Sequence, residues 1–230
     1  MSDARLSRTA ASEATESAGW RYLLGTLCAS VPVSSLNEAV ALAETAAAAC
    51  GEHADGHLRV DLRPDRAEFS LADRAADGVT GRDTELAGAI TAALAARGAR
   101  VASPVTADRA RPVEMLEICV DAIDIAAIRP FWKAVLGYAD EPTDSGPTAA
   151  LVDPAGQLPA VWFQQMDEPR PQRNRIHFDV TVAHEEAEPR VRAALAAGGV
   201  LVSDAEARSY WIMADVEGNE VCVCTWLDRD

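Results

Sequence analysis

Lysine is all but missing from this chain: Lys133 stands alone, and the other basic side chains are arginines. With 21 Lys and Arg against 36 Asp and Glu, the formal net charge is −15. The clustered cations that a phosphate backbone requires are therefore lacking, and nucleic acid is excluded as a partner class. Long apolar runs are lacking too. No stretch approaches the ~20 apolar residues that cross a bilayer, and residues 1–17 are polar, without the apolar segment of a secretory signal. A cytoplasmic protein with no membrane partner is expected. Cysteine is sparse and odd in number: Cys28, Cys50, Cys119, Cys222 and Cys224 are scattered in strand-like contexts, which reads as reduced thiols and not as a disulfide framework. P-loop, dinucleotide-type glycine motif and serine nucleophile elbow are all missing.

What is present is a duplication. Residues 115–120 read as a strand, 124–136 as a helix, and 149–152 and 160–165 as further apolar strands. After a polar break the order returns, with a strand at 176–182, a helix at 185–197, and strands at 210–214 and 221–226. Two βαβββ units in tandem cannot each bury a sheet face alone, so they are expected to pack side by side and leave a cleft. Asp153-Pro154-Ala155-Gly156 and 215–220 occupy matching places as hairpin turns.

Residues 113–230 resemble the glyoxalase-like, vicinal-oxygen-chelate superfamily. The likeness is carried by Asp124 with Phe131-Trp132, by 135–138 (Val-Leu-Gly-Tyr), by 175–179 (Arg-Ile-His-Phe-Asp) and by 215–220 (Asp-Val-Glu-Gly-Asn-Glu). In that superfamily, the first and last strands of each module turn carboxylates or imidazoles inward toward a divalent metal. The resemblance carries those positions onto Glu117 and His177, with Gln164 and Cys222 standing where stronger carboxylate ligands would be. Glutamine is a weak ligand and thiolate shifts the preference toward Zn or other soft ions, so a catalytic metal is less expected than its absence. Without one, Glu117 as base and His177 as acid or electrostatic partner can still move protons. Trp162 and Phe163 point to opposite strand faces, as do Tyr210 and Trp211, so one of each pair can line the cleft. Trp162, Gln164, Asp179, Tyr210, Trp211 and Cys222 are the expected ligand-binding residues.

The N-terminal half is organised differently. Residues 1–17 read as a frayed tail and 20–33 as a strand or strand pair broken at Gly25. A helix is expected over 36–50, with Ser35 and Glu38 as a capping box. Leu58, Val60 and Leu62, then Ala67, Phe69 and Leu71, alternate about 64–66 as a hairpin. Thr80 and Asp83 form a second capping pattern before a helix over 86–97, and Gly98 stops it.

This order, with 78–83 (Gly-Val-Thr-Gly-Arg-Asp) and Leu86-Ala87, resembles the pterin-4a-carbinolamine dehydratase family over residues 20–98. Of that family's three histidines only His57 is matched without gaps; His53 could shift into the first position, and Arg74 stands at the third. The resemblance implies a domain over 18–100 that has lost most of its proton-transfer groups. Residues 101–112, with Pro104 and Pro112, read as a linker to a domain over 113–230.

The expectation is an α+β protein in two domains. Its C-terminal domain binds a small organic molecule and converts it by lyase or isomerase chemistry through Glu117 and His177. Two alternatives stand: dehydratase activity retained through His57, and a binder that sequesters its ligand without turnover. The Ala- and Arg-rich, Lys-poor composition is that of high-GC bacterial genomes. Both resembled families assemble through sheet or helix contacts, so a homodimer is expected.

Overall fold

A computed structural model of the chain describes residues 4–102, 113–142, 144–169 and 176–228. Two compact units emerge, Met1–Met115 and Leu116–Asp230. Most of the expected linker, 103–112, and Arg175 of the motif at 175–179 lie outside the described residues.

In the first unit, β1 (Arg21–Leu23), β2 (Thr26–Pro32), β3 (Leu58–Arg63) and β4 (Arg66–Leu71) make one antiparallel sheet in the order β1-β2-β4-β3. Alternation explains it. Leu27, Ala29 and Val31 on β2, with Ala67, Phe69 and Leu71 on β4, all face the core. They meet Ala39, Leu42 and Ala46 of α2 (Leu36–Cys50), which the one-turn α3 (Ala54–His57) follows, and Leu86, Ile90 and Leu94 of α4 (Gly81–Ala96). Ser35 caps α2, accepting from Glu38 N at 3.2 Å, but the Glu38 carboxylate reaches back to Ser34 N and Oγ, each at 2.7 Å.

Three expectations need correcting here. The supposed tail contains a helix, α1 (Arg8–Thr15), capped by Ser7. Its Ala11 is fully buried, so a small residue in the core anchors a segment whose composition reads as polar. Helix α4 begins at Gly81, five positions before the expected start, because the Thr80–Asp83 box closes immediately ahead of it. The linker, too, starts late: Val101 packs on the core and Ala102 N donates to Ser30 O at 2.8 Å.

The second unit is the duplication made visible. Its first module runs β5 (Glu117–Ala122), α5 (Ile125–Leu136), β6 (Ala139–Asp140), β7 (Leu151–Val152) and β8 (Ala160–Gln165). The second runs β9 (Phe178–Thr181), α6 (His184–Ala196), β10 (Val200–Ser203), β11 (Tyr210–Ala214) and β12 (Glu220–Cys224). The sheets have the same order, β5-β8-β7-β6 and β9-β12-β11-β10, and in each the first strand pairs parallel with the last. One apolar cluster joins inward residues of both sheets to both helices: Val120 and Phe163, Met213 and Val223, Phe131 and Trp132, Val191 and Ala194. Among the described residues, no helix is long and apolar enough to cross a membrane.

Candidate functional site

Strand parity divides each C-terminal sheet into a face against the helices and an open face. On β5, Val120 and Ala122 are in the core, which turns Glu117, Cys119 and Asp121 the other way. Parallel register sets Cys119 beside Trp162 and Asp121 beside Gln164 on that same open face. In the second module, Asp179 is the register partner of Cys222, Ile212 that of Cys222 on its other side, and Tyr210 that of Cys224.

Most of the residues expected at the site therefore share the open faces. Glu117, Trp162, Gln164, His177 and Asp179 are exposed there, Tyr210 is half-buried, and Cys222 is buried. Trp211 is the exception. It sits 8% exposed in the core with Met213 and Val223, so packing accounts for it, while its neighbour Tyr210 lies on the open face. Glu117 stands exposed at the start of its strand, without the apolar enclosure that desolvates a catalytic carboxylate.

A cleft of about 620 Å³ opens between the first strands of the two modules. Cys119 and Asp121 of β5 line it with Ile176 and Phe178 at β9, and Met166 and Glu220 complete much of the wall. Its base is fixed by the turn after β11, which does more than reverse the chain. Buried Asp215 accepts from Trp132 Nε1 at 3.0 Å, from Glu217 N at 3.0 Å, from Asn219 N at 2.9 Å and from Asn219 Nδ2 at 2.8 Å. Glu217 then accepts from Ile123 N at 2.8 Å and Asp124 N at 2.7 Å, at the start of α5. The second module's turn is thus tied to the first module's helix, and the cleft lies over the tie.

His177 Nε2 lies 3.5 Å from Asp179 Oδ1. Together with the Cys222 sulfur, these groups put one nitrogen, one oxygen and one sulfur within 4.8 Å of one another; Glu117 is not among them. Tetrahedral coordination with bonds of ~2.0–2.3 Å needs donors roughly 3–4 Å apart, so small side-chain rotations suffice for the three to hold a divalent metal. Burial, and then the Asp179 carboxylate, push the Cys222 thiol up to about 11. By itself Cys222 is accordingly no nucleophile. Cys119 is shifted upward as well, by burial and then by Asp121.

The first unit has a smaller polar site. His57 Nδ1 and Asp83 Oδ1 are 2.8 Å apart, with the carboxylate fully buried. The other oxygen of Asp83 accepts from Thr80 N at 2.7 Å and Thr80 Oγ1 at 2.8 Å, so the capping box that starts α4 also orients the imidazole. His53 stands edge-on to His57, ring centres 6.0 Å apart, and Arg74 is turned to Leu58 O at 3.4 Å.

Sequence reasoning missed Asp83 as the partner of His57, and the roles of Cys119, Asp121 and Glu217. Period-two alternation from Glu117 would have given Cys119 and Asp121. Nothing in the spacing pairs residues 57 and 83, or 123 and 217, which meet only in the fold.

The fold is α+β, with a tandem βαβββ unit following in sequence a unit of one four-stranded antiparallel sheet and its helices. Residues 117–224 match the model of a family described as a glyoxalase-like domain. A glyoxalase/bleomycin resistance protein/dioxygenase family enzyme from Burkholderia phytofirmans PsJN is similar over 47% of this chain and 95% of its own, at 20% identity and a TM-score of 0.37. The fosfomycin resistance protein FosX from Mesorhizobium loti is similar over 50% and 92%, at 10% identity and a TM-score of 0.38. A transcriptional coactivator/pterin dehydratase from Brucella melitensis is similar over 39% and 97%, at 24% identity and a TM-score of 0.35. No curated protein matches the chain in sequence. The family match falls on the C-terminal half, the half whose motifs resemble the glyoxalase-like superfamily.

Proposed function

We propose that the C-terminal unit binds a small organic molecule in the cleft between β5 and β9 and converts it by proton transfer, as a lyase or isomerase. The cleft is the observation that carries this reading. It has the size of a small-molecule site, apolar walls at Ile176, Phe178 and Met166, and a few polar groups at Asp121 and Glu220 to orient a ligand. Glu117 is the base, on the same face of β5 as the cleft residues Cys119 and Asp121. His177, next to Asp179 and flanked by the cleft residues Ile176 and Phe178, is the electrostatic partner. Closure of a bound ligand over Glu117 would supply the desolvation that the free chain lacks.

The test is a screen of small organic acids, aldehydes and ketones by ligand-observed NMR in D2O. A bound molecule should exchange a carbon-bound hydrogen for deuterium, and Glu117→Gln should slow that exchange by about 10²–10⁴-fold, the ordinary worth of a general base. Saturable binding with no exchange and no turnover would make the unit a sequestering binder instead.

The His57–Asp83 contact favours a second reading, dehydration of a 4a-hydroxytetrahydropterin in the first unit. A buried carboxylate on Nδ1 fixes an imidazole so that its other nitrogen can exchange protons. His53 and Arg74 would assist. Loss of pterin turnover in His57→Ala would support this reading, and equal turnover in both chains at the uncatalysed rate would end it.

A further inference from the structure

We propose that Glu217 is a positioning residue for ligand binding. By holding the corner between β5 and α5 against the turn after β11, its carboxylate sets the width of the cleft and so the size of molecule the cleft admits. The role rests on the cleft being the ligand site, and it is carried by hydrogen bonds that cross from one module to the other.

Ile123 and Asp124 belong to neither element, since β5 ends at Ala122 and α5 begins at Ile125. Their backbone groups therefore need side-chain partners. Gln165, from the same module, donates Nε2 to Ile123 O at 2.7 Å. Glu217, from the second module, takes both N–H groups, one on each carboxylate oxygen. Such a contact is charge-assisted and fixed in direction, and a negative charge ahead of the first turn of α5 has the sign the helix dipole favours. Ile123 and Glu217 both line the cleft, so these bonds run along its wall.

The opposite charge holds the other end of the helix. Arg190 of α6 donates Nη1 to Val135 O at 3.2 Å, with its guanidinium lying where a Cβ on Gly137 would stand. Trp132 is joined to Asp215 in between. The second module thus grips α5 at three points, and the Glu217 contact is the one made at the end of β5, the strand that carries Cys119 and Asp121. In the first module's turn, Ala155 stands at the position matching Glu217 and has no carboxylate to offer in return. Asp153 accepts within its own turn instead, from Ala155 N, Gln157 N and Leu158 N. One carboxylate therefore governs the spacing between β5 and the second module.

Cys119, exposed on the cleft wall, is a built-in gauge of that spacing. The full chain is alkylated with small iodoacetamide and with bulky N-(1-pyrenyl)maleimide at one pH, and the rate at Cys119 is followed by peptide mass. The bulky-to-small rate ratio cancels the thiolate fraction and leaves access. Glu217→Ala and Glu217→Gln should each raise this ratio by about 10-fold and speed amide exchange at Ile123 and Asp124 by at least about 10-fold, the worth of one hydrogen bond to a charged group. Glutamine keeps the volume but turns an N–H donor toward the backbone donors, so it separates the carboxylate's role from mere filling. Val216→Ala, in the same turn, should change neither reading. An unshifted Trp132 indole proton resonance reports that each variant keeps the fold. A ratio unchanged in both Glu217 variants, even with faster exchange, would overturn the assignment, as would a rise in Glu217→Ala alone. An empty D2O screen would strike the ligand reading alone; the reagent ratio decides the tie.

Discussion

Single side chains hold the cleft in shape, and Asp215 carries the most. It is 2% exposed and accepts four hydrogen bonds, one of them from Trp132 in the other module. Removing it leaves a buried indole N–H and the turn's backbone donors unsatisfied, at ~1–3 kcal/mol for each group that water cannot reach. With the indole N–H the one fully buried donor among them, Asp215→Ala should destabilise the C-terminal unit by about 1–3 kcal/mol, read as a lower urea midpoint for that unit's transition. Gly199 is a steric counterpart. A Cβ there would meet the Phe131 ring and Ala194 O, so Gly199→Ala should cost ~1–3 kcal/mol through overpacking. Circular dichroism melts of the full-length variants check both, and wild-type melting in either would contradict the packing described.

Among the elements, those with a clear period were legible in the sequence. Helix α2 falls on the expected residues 36–50, and β8 and β11 fall on 160–165 and 210–214. Strands β6 and β10 were not. Ala139–Asp140 is too short to show alternation, and Val200, Leu201 and Val202 form an exposed edge strand without an apolar–polar pattern. Instead, β6 is held by charge: Arg129, buried in α5, donates to Asp140 Oδ1 at 2.7 Å and Lys133 donates to Oδ2 at 2.7 Å. Those two cations keep the Asp140 carboxyl below its ordinary range. A carboxyl depressed on folding contributes stability above the unfolded value of ~3.9, and that contribution is lost as pH falls through the depressed value. Asp140→Asn should accordingly flatten the acid limb of the stability profile, measured by urea midpoints from about pH 5 downward; an unchanged acid slope would deny the element its ionic anchor. Site membership was legible in the same partial way. Parity set one member of each aromatic pair outward, and burial in the fold makes it Trp162 and Tyr210. Register across strands, which no spacing encodes, decided that Cys222 meets Asp179.

Two units with separate cores make up the whole molecule. Each buries its own apolar cluster, so two unfolding transitions are expected, and a ligand should move only the transition of the unit that binds it. The most direct test of the account is thermal unfolding of the full chain by calorimetry, with and without a molecule from the NMR screen. Ligand at 100 times its Kd should raise the C-terminal transition by the equivalent of about 2.7 kcal/mol and leave the N-terminal one in place. Assignment follows from Asp215→Ala, which lowers only the C-terminal transition. A ligand that shifts the N-terminal transition alone would contradict the account and move the function to His57 and Asp83.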